Sequence, residues 1–151
     1  MQIALVAVGR LRPYYRDACD DYLRRLRRHA KVTEHELREG PDSGAGVQRR
    51  DEASRIRAQL PKGAQLVALA IDGELWSSDA LAERVDRWRL AARPVAFAIG
   101  GATGLDDALL RDADVRWSLG PLTLPHELAR VVVCEQLYRA FSILAGAPYH
   151  K

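Results

Sequence analysis

Two glycine-bearing stretches hold residues placed for chemistry. In Phe97-Ala-Ile-Gly-Gly-Ala-Thr-Gly-Leu105 an apolar run ends on Gly100 and Gly101, and Gly104 follows. Glycine at a strand end lets the backbone bend tightly or lets another group approach it closely. A phosphate loop needs GxxxxGK[ST] after the first strand, but this stretch has no lysine and comes late in the chain. A dinucleotide fingerprint needs GxGxxG in the first strand-to-helix turn, and the spacing here is GGxxG. A tight turn with no ligand stays open as an equal reading. The second stretch is Ser118-Leu-Gly-Pro-Leu-Thr-Leu-Pro-His-Glu-Leu-Ala-Arg130. Gly120, Pro121 and Pro125 stiffen it, and Leu122 and Leu124 alternate with polar positions. A rigid, half-apolar loop beside a Gly-Gly turn can bury a flat ring and hydrogen-bond its edge through the main chain.

These loops need a scaffold, and the apolar pattern supplies one. Residues 3–8 and 95–99 are continuous apolar runs, the mark of strands buried on both faces. Residues 66–71, closed by Asp72-Gly73, and residues 115–119 read as two more buried strands, and residues 32–37 as a polar edge strand. Between them, Tyr15, Ala18, Cys19, Tyr22, Leu23 and Leu26 recur at helical spacing after Pro13. An Arg-rich helix over 47–60 follows the loop 39–46 and carries Ala53, Ile56 and Leu60 on its apolar face. Leu81, Ala82, Val85 and Trp88 mark a helix with Ser78 as N-cap. A short helix covers 106–111 and a long apolar one 127–145, with Gly146 at C′ and Pro148 beyond. Strands alternating with helices predict an α/β fold with a mostly parallel sheet flanked by helices on both faces, in a single domain over 1–151. The last helix is apolar almost all round, which leaves surface for a homodimer interface.

The 151 residues are 48% hydrophobic and 28% charged, as expected of a soluble globular protein. The net charge of +3, from 23 Lys+Arg against 20 Asp+Glu, is a weak sign of a nucleic-acid partner. Cys19 and Cys134 lie in apolar stripes and read as buried free thiols. His and Cys never fall at metal-ligand spacing, so no metal is expected. No run approaches the ~20 apolar residues of a membrane span, and a cytoplasmic location is expected.

LVAVG near the start, IGG.TGL, WSL..LTLPHELAR, EQLYRA and the terminal PYHK together closely resemble the RlmH family over the whole chain. These are SPOUT-class methyltransferases of pseudouridine in bacterial large-subunit ribosomal RNA. The resemblance implies a C-terminal trefoil knot, which topology rules exclude by default, and S-adenosyl-L-methionine as cofactor. Its binding positions carry over to Leu69, Gly101 and Gly120 through Pro125, namely Gly120, Pro121, Leu122, Thr123, Leu124 and Pro125. Gly100 joins them because a side chain on Gly100 or Gly101 would obstruct close approach to the backbone. The family reaction methylates N3 of a pseudouridine in 23S rRNA, on the assembled 70S ribosome. N3 must lose its proton, so a base or donors that stabilise the anion are needed.

The side chains proposed for that chemistry are His126, Arg130, Glu135, Tyr138, Arg139, Tyr149 and His150. Each has a plainer alternative. His126 can simply start the helix. Glu135 and Arg139 can be an i,i+4 ion pair, and Tyr138 can be core. Tyr149 and His150 sit on a tail that frays without a role; the resemblance implies that they reach the partner subunit's cofactor. Arg24, Arg25, Arg27, Arg28, Lys31, Arg49 and Arg50 can contact RNA phosphates or form a solvated face. The rival functions are a non-catalytic ribosome-binding factor on the same fold, a tRNA methyltransferase of the same class, and a nucleotide-binding α/β protein.

Overall fold

The computed structural model describes residues 1–150, His150 through its backbone alone. Five parallel strands form one sheet: β1 (Gln2–Val8), β2 (Lys31–Leu37), β3 (Gln65–Leu75), β4 (Val95–Ile99) and β5 (Val115–Ser118). Their spatial order is β2-β1-β4-β3-β5. The helices between them are α1 (Pro13–Leu26), α2 (Ala45–Gln59), α3 (Ser78–Ala91) and α4 (Asp107–Asp112). The chain closes with α5 (His126–Leu144) and a single 3-10 turn, Pro148–His150.

Period-two alternation sorts β1 between two cores. Ile3, Leu5 and Ala7 pack with α1, α3 and α5, including Leu23, Val85 and Leu137. Ala4, Val6 and Val8 face the other way, onto Ala53 and Ile56 of α2 and Leu109 of α4. Central strands covered on both faces must be apolar throughout, which is why β1 and β4 read as unbroken runs. Each fully buried Leu, Ile or Phe contributes about 1.5–3 kcal/mol relative to exposure. Cys19 and Cys134 meet inside the first core as free thiols. Their mutual hydrogen bond, with burial, pushes the Cys134 thiol well above its ordinary range.

Several boundaries differ from the sequence reading, each for a local reason. The N-cap of α3 is Ser77, whose hydroxyl accepts from the Ala80 N–H at 3.0 Å. Ser78 instead donates to Gln136 Oε1 at 2.7 Å. Asp72-Gly73 does not end β3. Leu69 and Glu74 both pair with Trp117, so Ala70–Gly73 loops out and the strand resumes. A Cβ on Gly73 would lie 2.7 Å from the Arg116 carbonyl carbon, so only glycine lets the returning strand close on β5. Ile71, read as buried, sits on this excursion and is 90% exposed. β5 is an edge strand with Arg116 exposed, not a fully buried one. The end of α5 is as expected: Gly146 at φ 66 donates to Ile143 O at 3.1 Å, and Ala147 to Ser142 O at 2.9 Å. Those two bonds complete a Schellman cap. Among the described residues, no helix is long and apolar enough to cross a membrane, and no His/Cys/Asp/Glu group could hold a metal.

Candidate active site

The C-terminal ends of β3, β4 and β5 open onto one cleft of about 150 Å³. Ligands of open parallel sheets bind outside the carboxyl ends of the strands. Leu69 comes from β3, Gly100 and Gly101 follow β4, and Gly120, Leu122, Thr123 and Leu124 follow β5. His126, the first residue of α5, closes the cleft. Pro121 and Pro125 flank it without lining it, and Pro125 O accepts from the Ala129 N–H at 2.9 Å.

The loop after β5 is held by Ser118, whose hydroxyl accepts from Gly120 N–H and donates to Gly120 O, both at 3.2 Å. Gly120 has φ 128, a conformation that favours glycine. Among the described residues, the N–H groups of Leu122, Thr123 and Leu124 have no main-chain partner. Leu122 is 79% exposed at the mouth. An apolar wall beside free main-chain donors fits a flat heteroaromatic ring with hydrogen-bonding edges.

The paired glycines have a reason inside the protein. A Cβ on Gly100 would lie 2.7 Å from the Gly104 carbonyl carbon, and one on Gly101 would lie 3.1 Å from Val8 Cγ1. Gly104 itself turns at φ 79. The first obstacle to a side chain at 100 or 101 is thus the turn and β1, not a ligand.

Arg130 lies one turn below His126 and does not reach the cleft. Its side chain is 1% exposed. It donates to Glu36 Oε2 at 2.7 Å and to Gly9 O at 2.6 Å, tying α5 to the ends of β1 and β2. Arg16 joins the same cluster through Glu34 at 2.7 Å and Glu36 at 2.5 Å. Burial works to raise the Glu36 carboxyl, but the hydrogen bonds from Arg130 and Arg16 hold it below its ordinary value.

Glu135, Tyr138, Arg139 and Tyr149 form a separate cluster. Nine residues separate His126 from Glu135, about 14 Å along the helix. Glu135 Oε1 accepts from Arg139 Nη2 at 2.6 Å and from the Tyr149 hydroxyl at 2.9 Å. The Tyr138 and Tyr149 rings meet edge-on at 4.7 Å. Burial, then hydrogen bonds with Tyr22 and Glu135, push the Tyr149 phenol well above its ordinary range. Sequence reasoning missed two members. Gln136 donates to Glu135 Oε2 at 2.7 Å, and Ser78 holds Gln136 from α3. The His150 side chain lies outside the described residues.

Arg24 and Arg25 are both paired with Asp21 at the far end of α1, and Lys31 starts β2, so they lie at the opposite edge of the sheet from the cleft. Arg27 and Arg28 follow α1 at that same edge, Arg27 donating to Val32 O at 3.3 Å. Arg49 lies on the cleft side, donating to Thr103 O at 3.3 Å, and Arg50 is its exposed neighbour on α2.

The family model described as "Predicted SPOUT methyltransferase" matches residues 1–150. The chain belongs to the SPOUT methyltransferase family. Its SPOUT relatives include Ribosomal RNA large subunit methyltransferase H of Rubrobacter xylanophilus, 48% identical over 97% of this chain and 96% of that one. The proteins of the same name from Chromohalobacter salexigens and Pseudomonas aeruginosa are 42% and 40% identical over the full length of both chains. The solved structure of a probable methylase family protein from Haemophilus influenzae Rd KW20 shares the fold. Its TM-score is 0.58 at 15% identity, covering 99% of this chain and 70% of that one.

Proposed function

We propose that this SPOUT protein methylates N3 of a pseudouridine in 23S rRNA, using S-adenosyl-L-methionine, as a homodimer acting on the assembled 70S ribosome in the cytoplasm. The observation that carries this reading is the cleft beside the Gly120–Pro125 loop, with its free main-chain donors and apolar wall. The name of relatives such as the 48% identical Rubrobacter xylanophilus protein supports a large-subunit rRNA substrate. The trefoil knot belongs to the same reading, in which the segment after β5 threads the chain before α5 begins.

In this reading Leu69, Leu122 and Leu124 enclose the adenine, and the loop main chain reads its edge. Bound S-adenosyl-L-methionine supplies an electrophilic methyl group on a sulfonium. Among the described lining residues, His126 is the one whose side chain can accept the N3 proton. The Tyr149 phenol, with its raised pKa, stays protonated at neutral pH and donates to the imide anion once its single O–H turns from Glu135 Oε1. Arg139 keeps its positive charge beside Glu135 and offsets that anion. One protomer holds His126 and the Tyr149 cluster about 14 Å or more apart along α5. The mechanism therefore requires the partner subunit to bring its tail cluster to this cleft.

The test is methyl transfer from radiolabelled S-adenosyl-L-methionine to unmodified 70S ribosomes and to protein-free 23S rRNA. Label on ribosomes alone supports the reading. Label on neither, with cofactor binding measured separately, overturns it in favour of another RNA or a non-catalytic ribosome-binding factor.

A further inference from the structure

We infer that the open groove at the C-terminal ends of β1 and β2, flanked by Arg10 and Arg38, holds phosphodiesters of the RNA strand that enters the cleft. The inference rests on the rRNA reading above and adds a site to it. The groove is lined by Arg10, Glu36, Leu37, Arg38 and Glu39. Val8 pairs with Leu37, and the Gly9 N–H continues the ladder to Leu37 O at 2.8 Å. Arg10 and Arg38 are therefore one step out of register on neighbouring chains about 4.8 Å apart.

Three observations point to a polyanion there. Both arginines are exposed, and among the described residues neither forms an ion pair, unlike Arg16 and Arg130 beneath them. Of the two carboxylates that line the groove, Glu36 is already neutralised, because it accepts from both of those buried or half-buried arginines, so Glu39 alone stands against Arg10 and Arg38. The groove also meets the cleft at Gly9. A Cβ there would lie 3.3 Å from His126 Nε2 and 3.5 Å from Glu39 Oε1, so Gly9 adjoins both the imidazole of the cleft and the carboxylate of the groove. A strand whose base enters beside His126 runs its backbone across Arg10 and Arg38. Guanidinium groups free of internal partners bind phosphate oxygens with little reorganisation.

The experiment compares full-length wild type, the double variant Arg10→Gln/Arg38→Gln and the double variant Arg10→Lys/Arg38→Lys on unmodified 70S ribosomes over a salt series. The glutamine variant is expected to raise KM for ribosomes about tenfold, with kcat and cofactor affinity unchanged. Its plot of log kcat/KM against log salt should be shallower by about 1.4, from about 0.7 per single-strand phosphate contact. The lysine variant should restore the slope. Unchanged KM and slope in the glutamine variant overturn the inference, as does a lysine variant as impaired as the glutamine one. Ribosome co-sedimentation of the same proteins reads the groove even where no methyl is transferred. A failure of the methylation reading is thereby distinguishable from a failure of the groove.

Discussion

Tyr149 donates to Glu135 Oε1 at 2.9 Å, on the same oxygen that Arg139 engages at 2.6 Å. A tail residue is thus locked to mid-helix across 14 positions. The Schellman cap at Gly146 aims the chain back, and Tyr138 and Arg139 hold the ring. Deleting residues 149–151 should lower turnover at least tenfold while leaving cofactor affinity within about twofold, the pattern of a group used in the transition state. Equal losses in both, by single-turnover kinetics and calorimetry, would remove the tail from the mechanism.

The raised Tyr149 pKa has a pH consequence. A raised folded-state pKa contributes stability fully below the ordinary phenol value, about 10, that is lost as pH rises through the folded value. Wild type should lose stability above about pH 10 more steeply than Tyr149→Phe, measured by urea midpoints. Phenolate absorbance should show one late-titrating tyrosine of the five, absent from the variant. Identical slopes would contradict the Tyr149–Glu135 geometry.

The acid side depends on Glu36. Its depressed carboxyl contributes stability fully above about pH 4.3, lost as pH falls through the lower folded value. Glu36→Gln should flatten that acid loss and lower stability at neutral pH. Arg130→Met should cost about 2 kcal/mol, since it leaves Glu36 with Arg16 alone and unpairs the buried Gly9 carbonyl. A loss under about 1 kcal/mol would show that the cluster is not what joins α5 to β1.

Gly100→Ala should destabilise by about 3 kcal/mol, because its Cβ meets the Gly104 backbone, which cannot step aside. Gly101→Ala meets the end of the Val8 side chain and should cost about 1 kcal/mol. That smaller penalty should shrink in a Val8→Ala background, which a double-mutant cycle on urea midpoints measures. Equal penalties in both backgrounds would show that Val8 is not the obstacle.

Leu122→Ser should leave stability within about 0.5 kcal/mol, since the side chain is 79% exposed. Cofactor affinity should fall about tenfold by calorimetry, consistent with ~1.5 kcal/mol of lost apolar contact. Undiminished affinity would move the ring-binding role away from Leu122.

Much of this fold is legible in the sequence because parallel strands covered on both faces must be apolar, and β1 and β4 are. The glycine turn after β4 and the stiff loop after β5 could be found for the same reason: their backbones need residues that side-chain patterns expose. What sequence missed depends on through-space closure. Asp72-Gly73 looks like a turn, and only its contact with Arg116 shows it returning to the sheet. Ser77 and Ser78 are equally good caps by type, and Gln136 on α5 decides between them by claiming Ser78. Arg130 reads as a charged residue near a cofactor loop. Its burial becomes visible only once Glu36, 94 residues away, lies against it. Gln136 carried no signal at all, being an ordinary polar residue until it is seen wedged between Ser78 and Glu135.

The two sheet margins are closed to growth. β5 contributes four residues and is interrupted opposite the Ala70–Gly73 excursion, so it offers a stranger chain almost no template. β2, at the other margin, carries Lys31, Glu34, His35 and Glu36, a charged strip on which an unmatched strand would strand its own neighbours. Both margins therefore disfavour two copies of this chain joining their sheets edge to edge. The homodimer proposed above is thereby left to helix-against-helix packing, for which the half-covered surface of α5 is the available seam.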